Sequence, residues 1–228
     1  MKKILLLLSF IFLVQPVFGY DNLVKENLIQ TRIDNVGTEI LNKNKIMKRI
    51  VFTYNSEEKK KTLSANKALT KRQIVVYDGI YKSVQSDDEL AAVLSREIVT
   101  AMKSYSGMWG GRIDSLQVAI SSKKFETVSD KRAVDFMVNA GYNPLGLITY
   151  INKTCPQKRS DFISRHNLTS KRLARIYEYI TYKYPKYLDS NDYKNNPQYQ
   201  NFLLNSVDNR KLLENKVRNN LKNEVKYE

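Results

Sequence analysis

The sequence predicts an α+β fold: a mainly helical domain with a small sheet. Three observations predict it. Apolar residues recur at three- and four-residue spacing through several long segments, the pattern of helices with one buried face. Two short runs, 49–54 and 73–78, are instead rich in β-branched and aromatic residues and read as strands. No internal repeat, heptad array or glycine-rich phosphate loop points to a solenoid, a coiled coil or a nucleotide fold.

The elements follow in order. Lys2 and Lys3 precede an apolar run over 4–14, then Gln15, Pro16, Val17, Phe18 and Gly19. A positive start, a short apolar core and small residues before a cut describe a secretory signal peptide over 1–19. The run is too short for a comfortable membrane span, and no cysteine near the cut supports a lipoprotein anchor. An uncleaved N-terminal anchor is the alternative. Residues 22–45 form an amphipathic helix through Leu23, Ile29, Ile33, Val36, Ile40 and Leu41. The two strands come next, the second closed by Gly79. Ser86 and Glu89 have the spacing of a capping box and open a helix with Leu90, Val93, Leu94, Ile98 and Ala101 inward. Gly107, Gly110 and Gly111 interrupt the pattern around Trp109. A helix over 126–139 ends on Gly141, a left-handed cap, and Asn143 with Pro144 starts the next. Thr169 or Ser170 begins another, carrying Arg172, Leu173, Ile176 and Ile180. Residues 20–182 are read as one domain, and 183–228 as a Lys- and Asn-rich helical extension.

Composition narrows the function. The chain has 38 Lys+Arg against 23 Asp+Glu; without Lys2 and Lys3 the balance is 36 against 23, a net +13. No lysine run interleaves with aromatics as a stacking platform requires, which argues against nucleic acid. Export makes an anionic membrane surface or acidic envelope polymer the more plausible electrostatic partner, and scattered solvated charge is the plainest reading. Cys155 is the single cysteine, so an internal disulfide is excluded. Beside Pro156 it reads as a buried, inert thiol rather than a reactive one.

One helix carries the chemistry. Residues 88–100 read D-E-L-A-A-V-L-S-R-E-I-V-T. In the H-E-x-x-H pattern two histidines one turn apart hold zinc. Here Arg96 and Thr100 stand in those slots, Glu97 remains between them, and the chain has one histidine, His166.

The chain resembles the zinc metalloendopeptidases of the CAAX-prenyl-protease and HtpX type, especially their soluble periplasmic BepA-like branch. The resemblance covers about 22–180 and rests on four blocks in order. They are Asn66, Lys67 and Ala68 leading to V-V-Y-D-G-I over 75–80; the 88–100 helix; E-T-V-S-D over 126–130 followed by A-G-Y-N-P over 140–144; and His166 with Arg172, where Arg165 and Asn167 replace the family's threonine and proline. The resemblance implies a gluzincin-type domain and assigns roles. Arg96 and Thr100 occupy the lost histidine-ligand positions. Glu97 corresponds to the general base, Glu126 to the third zinc ligand, Asp130 to its supporting carboxylate and His166 to a cleft histidine. It also implies that Ile74, Val75, Val76 and Tyr77 form an edge strand to which extended peptides add.

Beside these roles stand plainer ones. A guanidinium offers only donors and repels a divalent ion, so Arg96 is expected to fill the metal's place and pair with Glu97 or Glu126. Thr100 can bond back to its own turn. Glu97 can pair with Arg96 or Lys131. Glu126 and Asp130 can hold a hard cation weakly or neutralise Arg96 and nearby lysines. His166 can be a surface group. The resulting expectation is a secreted or periplasmic pseudo-peptidase, with no cofactor although the family uses zinc, that binds envelope proteins or unfolded peptides. A metallopeptidase rebuilt around Glu97, Glu126, Asp130 and His166, and a basic envelope-surface binder, are the alternatives.

Overall fold

The computed structural model describes residues 2–59, 64–65, 73–103, 122–155, 157, 167–189 and 192–228, with side chains described for all of these but 2–22, 64–65 and 103. Helix α1 (Lys2–Lys43) is continuous through the expected cut after Gly19. Its described half buries Ile33, Val36 and Ile40 and exposes Leu23 and Leu28. Among the described residues, no helix is long and apolar enough to cross a membrane.

Strands β1 (Val51–Asn55), β2 (Ser64–Ala65) and β3 (Gln73–Tyr77) form one sheet in the order β1-β3-β2. β1 runs parallel to β3, with Val51 opposite Gln73 and Asn55 opposite Tyr77; β2 pairs antiparallel with Ile74 and Val75. This corrects the expected edge strand. Ile74, Val75, Val76 and Tyr77 lie in the central strand, because β1 returns alongside β3 and β2 takes its other side at Ile74 and Val75. Strand pairing is a non-local choice that alternation within one strand does not specify.

After the short helix α2 (Asp78–Tyr81), α3 (Asp87–Lys103) runs through the centre of the molecule. Leu90, Ala91, Ala92, Val93, Leu94, Ile98 and Val99 are at most 1% exposed, so beyond its first turn this helix is covered on nearly every side, with Arg96 and Thr100 as half-buried polar residues. Its start differs from a capping box by one residue. Ser86 Oγ accepts from the Glu89 amide at 3.2 Å as expected, but the Glu89 carboxylate accepts from the Gln85 amide at 2.7 Å rather than from Ser86. Thr149 and Lys153 complete the Glu89 shell at 2.9 and 2.6 Å.

Helix α4 (Ser122–Asn139) packs against α3 and stops at Gly141, whose φ of +87° is the left-handed geometry that glycine adopts without strain. Asn143 Oδ1 then accepts from the Leu145 amide at 3.0 Å and starts α5 (Leu145–Thr154). Gly146 lets α5 touch the start of α3: a β-carbon there would lie 2.7 Å from the Asp88 main chain. Helices α6 (Thr169–Lys183), α7 (Lys186–Asp189), α8 (Pro197–Asn205) and α9 (Val207–Arg218) follow. The segment after 183 shares the domain's core. Tyr193, Tyr199 and Phe202 join the same hydrophobic cluster as α3 and α5, and the Tyr193 hydroxyl donates to Asp88 at 2.8 Å. Burial of two such rings at about 1% exposure contributes roughly 1.5–3 kcal/mol each to holding this segment down.

Candidate functional site

The candidate site lies where α3, α4 and α6 meet. Residues 96 and 100 are one turn apart on α3, and residues 126 and 130 one turn apart on α4. The packing of α3 on α4 brings Arg96 to Asp130, and α6 adds Arg172.

Asp130, buried at 1% exposure, is the hub. Arg172 approaches it with two parallel donors, Nε to Oδ2 at 2.6 Å and Nη2 to Oδ1 at 2.8 Å. Such fork-to-fork pairing is the strongest geometry open to arginine and carboxylate. From the other side, Arg96 Nε stands 2.7 Å from Asp130 Oδ1, an ion pair by distance whose N–H is not aligned for a hydrogen bond. Burial by itself would raise the Asp130 carboxyl. Arg172 and then Arg96 outweigh it and hold the group below its ordinary value. The ion-pair partner of Arg96 is Asp130 rather than Glu97 or Glu126.

Glu126 is also buried and is spoken for on both oxygens. Arg172 Nη1 lies 3.4 Å from Oε1, and Asn167 donates to Oε2 twice, from its amide at 3.0 Å and from Nδ2 at 2.9 Å. Arg175 steadies Asn167 in turn, donating to its Oδ1 at 3.0 Å. Two buried carboxylates therefore face two guanidiniums. Arg172 Nη1 also points at Cys155 Sγ, 3.8 Å away.

Thr100 takes its plainer role, its hydroxyl donating back to the Arg96 carbonyl at 3.1 Å. Glu97 is buried beside Arg96, and its Oε2 has no hydrogen-bond partner among the described residues. Burial pushes its carboxyl up to about 7 against the opposing pull of Arg96. Lys131 does not serve it as a hydrogen-bond partner; the ammonium lies 5.6 Å from the centre of the Tyr179 ring. His166 lies outside the described residues, as do Asn66, Lys67, Ala68 and the glycines at 107, 110 and 111.

This donor set does not fit zinc. Where the resemblance expects two histidine ligands, a permanently charged guanidinium stands at residue 96 and a neutral hydroxyl, turned to its own helix, at residue 100. Glu126, to which the resemblance gives the third ligand role, is contacted by Arg172 on Oε1 and by Asn167 on Oε2. Among the described residues, no three of His, Cys, Asp and Glu are grouped to hold a metal ion.

Sequence reasoning passed over two members of this site. Arg172 served only as a family landmark, although its spacing from the acidic pair is visible once α4 and α6 are known to pack. Asn167 registered as a departure from proline; the signal was that proline has no N–H to give and asparagine offers a main-chain and a side-chain donor. No family model matches the chain, and no curated protein or solved structure matches it.

Proposed function

We propose that this chain is a non-catalytic member of the metallopeptidase-like, gluzincin-type proteins it resembles, and that it works in the cell envelope by binding unfolded or extended segments of other proteins. The observation that carries the reading is the closed ionic cluster Arg96–Asp130–Arg172–Glu126. In the resemblance, the positions of Arg96, Thr100 and Glu126 hold the catalytic ion and Glu97 activates its water. Here two guanidiniums supply the positive charge that a dication would bring, and they do so with donors only.

Three departures from the family pattern act in concert. Arg96 neutralises Asp130; Asn167, in place of proline, gives Glu126 two donors; Thr100 turns back to its helix. Leaving Asp130 and Glu126 buried without these partners would cost several kcal/mol each, so their pairing supports a core that stands without a metal. Glu97, without a Lewis acid, has no water of lowered pKa to deprotonate, since bulk water ionises far above neutral pH whereas zinc brings a bound water down to ~7.

The test is zinc analysis of the purified chain after dialysis, run with a cleavage and pull-down assay on reduced, carboxymethylated casein. The expected result is substoichiometric zinc, no fragments and saturable binding of casein. Stoichiometric zinc with chelator-sensitive cleavage would overturn the proposal.

A further inference from the structure

Helices α4 and α6 lie side by side and run in the same direction, since Glu126 meets Asn167, Asp130 meets Arg172 and Asp135 meets Lys183. The carboxylates of both helices are engaged. Glu126 and Asp130 are buried in the cluster described above. Asp135 accepts from the Tyr179 hydroxyl at 2.9 Å, from the Tyr184 hydroxyl at 2.8 Å and from Lys183 Nζ at 2.8 Å. Glu178 is held by Lys216 Nζ at 2.7 Å.

The cations are not used up in the same way. Lys124, Lys131 and Arg132 on α4, with Lys171 and Arg175 on α6, have no carboxylate partner among the described residues. Lys124, Lys131 and Arg132 are exposed and fall on one stripe of α4, because residues three and four apart are neighbours on a helix surface. Val128 stands among them at 42% exposure. The two helices share this face across their seam. Lys131 Nζ leans to 5.6 Å from the Tyr179 ring centre, and Arg175 Nη1 donates to Thr127 Oγ1 at 3.3 Å. Lys171, Arg175 and Tyr182 follow along α6, the tyrosine 53% exposed. The outer face of α1 is different: its exposed positions between 31 and 42 are Thr31, Asn35, Thr38, Glu39 and Asn42, none of them a cation. The excess positive charge is therefore concentrated where the acids are occupied.

We propose that the α4–α6 face docks this protein on the surface of an anionic lipid bilayer. Phosphate headgroups are the chemistry it recognises: ammonium groups supply point charge and the Arg175 guanidinium supplies donors that match phosphate oxygens. Val128 and Tyr182 select a bilayer over a soluble polyanion. A polyanion in water offers these two side chains nothing, whereas the boundary between headgroups and acyl chains takes an apolar side chain and a tyrosine while the lysines reach back to the phosphates. The inference stands apart from the peptide-binding reading, since it concerns where the chain rests and not what it captures.

The test is co-sedimentation of the full chain with vesicles of phosphatidylcholine alone, or of phosphatidylcholine and phosphatidylglycerol in equal parts, at low and high salt. The apolar run over 4–14 is common to all variants, so the reading is the difference between the two vesicle types. Wild type should prefer the anionic vesicles and lose that preference at high salt. Lys124→Glu with Lys131→Glu and Arg132→Glu should weaken anionic binding at least about 100-fold, since each Lys or Arg near such a surface contributes about fivefold. Lys124→Gln with Arg132→Gln, a milder pair, should weaken it about 30-fold and serves if the triple variant fails to fold. Lys194→Glu with Lys211→Glu and Lys222→Glu makes the same change in net charge at exposed positions off this face and should weaken binding less than about threefold. Val128→Asn should weaken it severalfold and leave the salt dependence unchanged. Equal losses from the two triple variants would mean that net charge alone drives the attraction, and would overturn the face. Binding to poly(glycerol phosphate) in solution as tight as to vesicles, with Val128→Asn without effect, would assign the face to a soluble polyanion and overturn the bilayer. No preference of wild type for anionic vesicles would overturn the proposal outright.

Discussion

Glu97→Gln tests whether Glu97 is a buried carboxyl that the native state holds in its neutral form. The carboxyl sits beside Arg96 with Oε2 unpartnered, and burial lifts it from an ordinary 4.5 to about 7. Its folded value is above its unfolded value, so the native state binds the proton more tightly. Stability from this group is complete below about pH 4, falls as the pH rises from 4.5 to about 7, and is flat above that. The difference is worth about 3 kcal/mol, a large share of the roughly 5–15 kcal/mol by which domains are stable. Glutamine keeps the shape and cannot ionise. Urea unfolding followed by far-UV circular dichroism, at intervals between about pH 4 and pH 8, should show wild type losing about 3 kcal/mol that the variant keeps. The two proteins should be nearly equal at the acid end and the variant more stable at pH 8. Parallel pH profiles would refute the reasoning, since they would mean that Glu97 is solvated or paired in the native state.

Arg172→Met should destabilise the protein by about 3–5 kcal/mol in the same assay, because it removes the buried cation that faces both Asp130 and Glu126. Arg96→His with Thr100→His should gain zinc affinity in a chelator-competition titration while either single change gains little, since two imidazoles one turn apart are needed beside Glu126 to complete three ligands; equal, weak binding by all forms would mean that the Arg172 and Asn167 contacts hold Glu126 shut. Gly146→Ala should lower the melting temperature through a loss of about 1–3 kcal/mol, as its β-carbon meets the Asp88 main chain at 2.7 Å and main chain cannot swing aside. Tyr199→Ala should cost about 3–5 kcal/mol and keep a single unfolding transition; an early, separate transition for the C-terminal segment would show that it does not share the domain's core.

The sequence by itself determined what is local. The helix start at Ser86 and Glu89, the left-handed stop at Gly141, the Asn143–Pro144 entry to α5 and the strand at 73–77 are each written in residues a few positions apart, because caps, turns and side-chain periodicity are short-range physics. It also determined that a two-histidine helix is absent from 88–100 and that Thr100 had a partner within its own turn. Tertiary structure alone decided which segments meet. It set β3 between β1 and β2, since strand order depends on how the chain returns and not on alternation within a strand. It gave Arg96 to Asp130 instead of to its neighbour Glu97, because adjacent residues on a helix point about 100° apart whereas α4 presents Asp130 across the packed interface. It made Arg172 and Asn167 partners of the acidic pair, drew Tyr199 and Phe202 into the core and laid Gln30 along the β1 edge, contacts between residues tens of positions apart whose pairing is settled only when the helices pack.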